Sequence, residues 1–159
     1  MSAAAPASEA RAQHWLSFLI GTQLYAAPLD DVSEVIRDGD LTPVPGAAPD
    51  LLGVRHLRGR IVPVMDGRRR LGLPALPAAN PVTVRVVMLA HAGQRVGLLV
   101  DAVGELLCSD GIDIAPPPPG RAHRNDDPVS GVLPWQGGFV ALLDIRRLCR
   151  AGDGNGHVA

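Results

Sequence analysis

The chain has 159 residues, enough for one domain or two small units sharing a core, and a core of that size needs neither metal nor disulfide to hold it. Its 15 basic side chains, all arginine, stand against 16 acidic ones, which excludes the basic excess of a typical nucleic-acid binder, and 3% aromatic content is too little for a base-stacking platform. No apolar run approaches the ~18 residues of a membrane span, and Met1 to Gln13 has no basic stretch leading into an apolar one, so neither membrane insertion nor secretion is expected and a cytoplasmic protein is.

Residues 1–13, rich in Ala, Ser and Pro, are expected to be a disordered leader. Strands are expected at Trp15–Ile20 and Leu24–Pro28, with Gly21-Thr22-Gln23 as the hairpin turn between them. A short helix is expected at Pro49–Leu52, then strands at Arg60–Met65 and Val82–Leu89. Ala92-Gly93-Gln94 is a second hairpin turn, leading to a strand at Arg95–Val100. Beyond these lie a strand at Phe139–Leu143, a short helix at Ile145–Arg150 and a disordered tail over 151–159. The 15 prolines and 18 glycines cut the chain into strand-sized intervals, which suits small barrels.

The chain also repeats itself. Asp30-Asp31-Val32-Ser33-Glu34-Val35-Ile36 lines up with Asp101-Ala102-Val103-Gly104-Glu105-Leu106-Leu107 at an offset of 71 residues, which also pairs Gln23 with Gln94, Leu41 with Ile112 and Pro45 with Pro116. Gly53-Val54, Gly59, Asp66 and Arg68-Arg69 line up with Gly131-Val132, Gly137, Asp144 and Arg146-Arg147 at an offset of 78, the difference falling at Pro116–Pro119 and the polar stretch Gly120–Pro128. Agreement in two separate blocks marks a duplicated unit of about five short strands, enough for a small closed barrel. An all-β fold follows, with residues 14–150 as one domain of two barrels, approximately 14–80 and 81–150, packed along an apolar seam. The groove beside that seam is the natural place for a partner.

Reactive constellations are missing. His14, His56, His91, His123 and His157 have no metal-ligand spacing, and there is no nucleophile elbow, P-loop or dinucleotide fingerprint, so no cofactor and no enzymatic activity are expected. Cys108 and Cys149 lack a C-x-x-C spacing and are expected to be buried small hydrophobes, leaving a metal- or thiol-dependent enzyme using His56, Cys108 or Cys149 as the distant alternative. Asp66 and Asp144 hold equivalent places in the two copies, which favours strand-ending turn acceptors over a catalytic carboxylate pair. Arg68-Arg69-Arg70 is expected to be a solvated turn face. Arg58 corresponds to Gln136 in the second copy, so the scaffold alone does not demand a charge there. It is either paired within the chain, with Glu34 the available acid, or presented as a guanidinium fork to a partner. Glu34 shares this ambiguity, because its counterpart Glu105 keeps the acid.

At these residues the chain resembles the CheW-like family of bacterial chemotaxis coupling proteins. The resemblance runs through Phe18–Gly21, Tyr25–Leu29, Val32–Ile36, Val44-Pro45, Gly53–Asp66, Val96–Val103 and Leu142–Asp144, in order and at the family's spacing. It implies two five-stranded SH3-like barrels. It further implies an adaptor between the cytoplasmic tip of chemoreceptors and a chemotaxis-type histidine kinase, held through the kinase's own CheW-like regulatory domain, in a membrane-associated array. The positions matching the family's receptor-contacting residues are Val32, Glu34, Gly53, Arg58 and Gly59; no short motif marks the kinase surface. Gly67, where the family usually has leucine, and His56, where asparagine is common, are departures. The length leaves no room for a receiver or kinase domain alongside, so a stand-alone coupling protein is expected. The nearer alternative keeps that role in a non-flagellar system controlling twitching pili or cyclic-dinucleotide output.

Overall fold

The computed structural model describes residues 13–74, 77–117 and 127–149. The expected leader over residues 1–13, apart from its last residue, and the expected tail over 151–159 lie outside the described residues, as does most of the stretch that separates the two repeat offsets. Ten strands follow in chain order: β1 His14–Ile20, β2 Gln23–Pro28, β3 Val32–Arg37, β4 Leu51–Leu57, β5 Arg60–Asp66, β6 Arg85–His91, β7 Gln94–Val100, β8 Ala102–Cys108, β9 Val129–Trp135 and β10 Gly138–Leu143. A 3-10 turn spans Leu29–Asp31, the one-turn helix α1 spans Gly67–Arg70, and α2 covers residues 145–149.

The two hairpin turns form where Gly21 and Ala92-Gly93 supply positive φ, and the helix expected after Asp144 is present. Two expectations fail locally. Pro49–Leu52 is not helical, because Leu51 and Leu52 already belong to β4. Strand β6 begins at Arg85 and not at Val82, whose side chain is exposed while Asn80 bonds back to the amides of Val82 and Thr83 and shapes a turn.

The strands form two five-stranded sheets, ordered β8-β1-β2-β10-β9 and β3-β6-β7-β5-β4. The duplicated units therefore exchange their first hairpins: β1-β2 pairs with the strands of the second copy, and β6-β7 with those of the first. Division of the barrels at residue 80 is corrected by this pairing. Each barrel draws on both halves of the chain. Each sheet also closes on itself in the same way, since the segment leaving edge strand β3 returns through Thr42 to pair with Val54 on the opposite edge strand β4, and Ala115 pairs with Val132 on β9. Closure removes the free strand edges that invite pairing with other chains.

Strand alternation sorts the core into three layers. Phe18 and Ile20 of β1, Tyr25 of β2, Val87 and Leu89 of β6 and Leu98 of β7 meet in a seam between the barrels, whereas Val86 and Met88 point into one barrel and Val140 and Leu142 into the other. Because β1, β2, β6, β7 and β10 are covered on both faces, they read as continuous apolar runs.

Arginines tie the ends of the seam. Arg68 forks onto Asp101, Nε to Oδ1 at 3.2 Å and Nη2 to Oδ2 at 2.5 Å, and the Gly21 amide donates to the same carboxylate at 3.3 Å. That hydrogen bond to Asp101 raises the Arg68 pKa above its ordinary value. Arg70 is buried at 1% exposure and donates from Nε to the Leu148 carbonyl and from Nη2 to the Arg147 carbonyl, at 3.3 and 2.8 Å. The expected solvated face of Arg68-Arg69-Arg70 is thus corrected: only Arg69 is mostly exposed, at 63% of its side chain. Two backbone carbonyls of α2 accept from the guanidinium, and these charge-assisted bonds are why a charge can be buried there.

Candidate protein-interaction site

Strands β4 and β5 are joined by a two-residue loop, Arg58-Gly59, between the paired residues Leu57 and Arg60. Both loop residues are left-handed, at φ 51° and 77°, the geometry whose twist matches a tight antiparallel hairpin. The equivalent loop Gln136-Gly137 has φ 48° and 79°, so the backbone is a property of the duplicated scaffold while the charge on Arg58 is not.

From this loop the Arg58 Nη1 bonds to Glu34 Oε2 on β3. Strands β3 and β4 are the two edges of their sheet, so the ion pair spans the line along which the barrel closes. A second tie crosses the same line, from Arg55 Nη1 to the Arg37 carbonyl at 2.7 Å. Arg58 remains 73% exposed and Glu34 24%, and a pair so wet contributes little to stability. Arg58 is thus paired within the chain, with Glu34, while most of its side chain faces solvent.

The pair forms one wall of a cleft of about 120 Å³, lined also by Ser33, Leu57, Arg60, Val62, Met88, Leu89 and Arg95. Arg95 is shared with a neighbouring apolar cavity of about 160 Å³, whose walls include Leu51, Pro63, Met65, Val96 and Cys149 at the seam. Of the five expected site residues, Glu34 and Arg58 line the cleft, and Gly59 is the second residue of the loop that carries Arg58. Val32 starts β3 half-buried, packed on the seam. Gly53 is buried, and a Cβ there would sit 2.7 Å from the Thr42 carbonyl oxygen, so glycine is needed for barrel closure at this point. Arg60 and Arg95 were not singled out from the sequence. Their repeat counterparts are Gly138 and Leu24, so the comparison that exposes Arg58 would also have exposed them.

The residues of the distant enzyme alternative lie apart. His56 is exposed on β4 in one sheet, Cys108 exposed on β8 in the other, and Cys149 buried at the seam. Cys108 thereby departs from its expected burial, because it ends an edge strand with its side chain outward. Asp66 and Asp144 serve as turn acceptors, for the amides of Arg68 at 3.0 Å and Arg147 at 3.2 Å. No helix among the described residues is long and apolar enough to cross a membrane.

Comparison with known proteins places this geometry. A family model described as a CheW-like domain matches residues 14–152. The chain is 34% identical over 131 residues to Chemotaxis protein CheW of Rhizobium meliloti (strain 1021), covering 82% of this chain and 83% of the relative. It is 32% identical over 105 residues to Protein PilI of Pseudomonas aeruginosa, covering 65% of this chain and 58% of that protein. The crystal structure of scaffolding protein TtCheW from Thermoanaerobacter tengcongensis superposes with a TM-score of 0.74 at 28% identity, covering 84% of this chain and 89% of that one. With a family model over nearly the whole described fold, two exchanged five-stranded sheets and a scaffold as structural neighbour, the chain belongs to the CheW-like domain family of non-enzymatic scaffold proteins.

Proposed function

We propose that this protein couples the cytoplasmic tip of chemoreceptors to a chemotaxis-type histidine kinase, which it holds through the kinase's CheW-like regulatory domain. The observation that carries the receptor side is the Glu34–Arg58 pair at the mouth of the cleft, with the guanidinium fixed at its root by a left-handed loop and exposed at its tip. A fork held in this way is suited to bidentate contact with carboxylates or carbonyls of a helical segment. The protein acts by geometry. It keeps receptor and kinase in one cytoplasmic array, and a receptor's shift between two states biases the kinase through the interfaces.

The test is receptor-controlled kinase activity with two variants at one position. Arg58→Glu sets two acids face to face and is expected to abolish coupling and weaken receptor binding by about 30-fold, as a central contact would. Arg58→Asn suits the left-handed loop better than arginine, so it is expected to keep the melting temperature while losing coupling. Normal coupling by both variants defeats the assignment. A second reading stands beside it, the same adaptor role in a non-flagellar system with pilus or cyclic-dinucleotide output, and the chain is similar to Protein PilI as well as to Chemotaxis protein CheW. The kinase recovered with the tagged protein from its own cells decides between them.

A further inference from the structure

Arg58, Arg60 and Arg95 converge on one cleft from the hairpin loop, the first position of β5 and the second position of β7, with Glu34 as the only acid among the described residues of its lining. All three are exposed. Arg58 has Glu34, but among the described residues the side chains of Arg60 and Arg95, like those of Arg37 and Arg146 elsewhere, have no hydrogen bond and no ion pair, whereas those of Arg55, Arg68, Arg69, Arg70, Arg85 and Arg147 are each engaged within the chain. Positive charge is thus left unmatched at this cleft on a chain whose formal net charge is −1. The floor is Leu57, Val62, Met88 and Leu89, and an apolar floor strengthens whatever charge pairing forms above it. Repetition makes the placement informative. The counterparts of the three arginines are Gln136, Gly138 and Leu24, so only one of two closely similar barrels carries the charge.

We infer that the cleft is an acid-selective docking site, and that the partner segment it accepts brings at least two carboxylates to Arg60 and Arg95. This rests on the reading of the cleft as the receptor-facing surface and specifies the chemistry of what docks there. The charge labels one barrel mouth against its pseudo-equivalent, so that an acidic helical tip chooses one of two similar surfaces.

The experiment titrates a cytoplasmic chemoreceptor hairpin fragment from the same genome into the full chain, into Arg60→Gln/Arg95→Gln and into Arg58→Asn, at low and high NaCl. A second fragment has the Asp and Glu residues of its tip changed to Asn and Gln. Expected is a loss of about 10-fold for the double variant in low salt, shrinking to about 2-fold when salt screens the charges. The neutralised fragment should show the same loss against the wild-type chain and no further loss against the double variant. If the double variant binds like wild type at both salts while Arg58→Asn fails to bind, the acid-selective site is refuted and the receptor role stands. If the wild-type chain binds neither fragment, both fall together.

Discussion

Gly67 shows how one residue can be fixed by its neighbours. Its counterpart in the second copy is Ile145, buried at 2% in the seam. Here a Cβ on Gly67 would lie 2.6 Å from the Leu99 carbonyl oxygen and 2.9 Å from Ile20 Cδ1. Ile20 is itself fully buried, so the volume that leucine would fill is already taken by the end of β1. The turn keeps the form of its counterpart, with Asp66 capping α1 as Asp144 receives an amide of α2. Gly67→Leu is therefore expected to destabilise the protein by about 3 kcal/mol through overpacking, read as a lower urea midpoint. Adding Ile20→Ala should recover part of that loss but not all, because the carbonyl oxygen cannot retreat without disturbing β7.

At the scale of elements, the strands that escaped the sequence reading are β3, β4, β8 and β9. They form the sheet edges, and polar residues interrupt their apolar ones: β3 alternates half-buried and exposed residues along its length, and β8 is exposed at three consecutive positions. A strand covered on one side only lacks the unbroken apolar run that marked β1 or β7. The two short helices depend on each other. Arg70 of α1 meets the Arg147 and Leu148 carbonyls of α2, so Arg70→Ala is expected to cost about 3 kcal/mol, combining lost charge-assisted hydrogen bonds with an empty buried volume. Thermal unfolding followed by circular dichroism measures this, and Arg70→Lys should not rescue it, since one ammonium cannot reproduce the fork. The Arg68–Asp101 tie behaves differently with pH than a histidine or carboxylate switch would. Its guanidinium pKa is raised, so its contribution is complete below the ordinary arginine value and is lost only as pH rises through the elevated one. Stability should show no titration from Arg68 anywhere near neutrality.

For the whole molecule, exchange of the first hairpins makes the two copies interdependent. A chain ending near residue 80 holds β1 to β5 but lacks β8, β9 and β10 from one sheet and β6 and β7 from the other. Neither that piece nor its complement is expected to give a dispersed amide spectrum alone, while the full chain should unfold in one calorimetric transition because the seam draws on both barrels. Independent folding of either half would contradict the interlocked arrangement.

Read alone, the sequence determined the all-β class, the duplicated unit, the hairpin turns at Gly21 and Ala92-Gly93, the family, and Arg58 with its available acid Glu34. These are local signals: apolar runs, turn residues with the required backbone freedom, and identities at constant spacing. Tertiary structure alone decided which copy's hairpin joins which sheet, that Arg70 is buried against backbone carbonyls of α2, and that Arg60 and Arg95 stand unmatched beside Arg58. Two similar repeats offer similar strands to either sheet, so pairing is chosen by surfaces that meet only after the chain has folded back across some seventy residues. A lone arginine in a strand carries no mark of whether a carboxylate, a helix terminus or open solvent will lie opposite it.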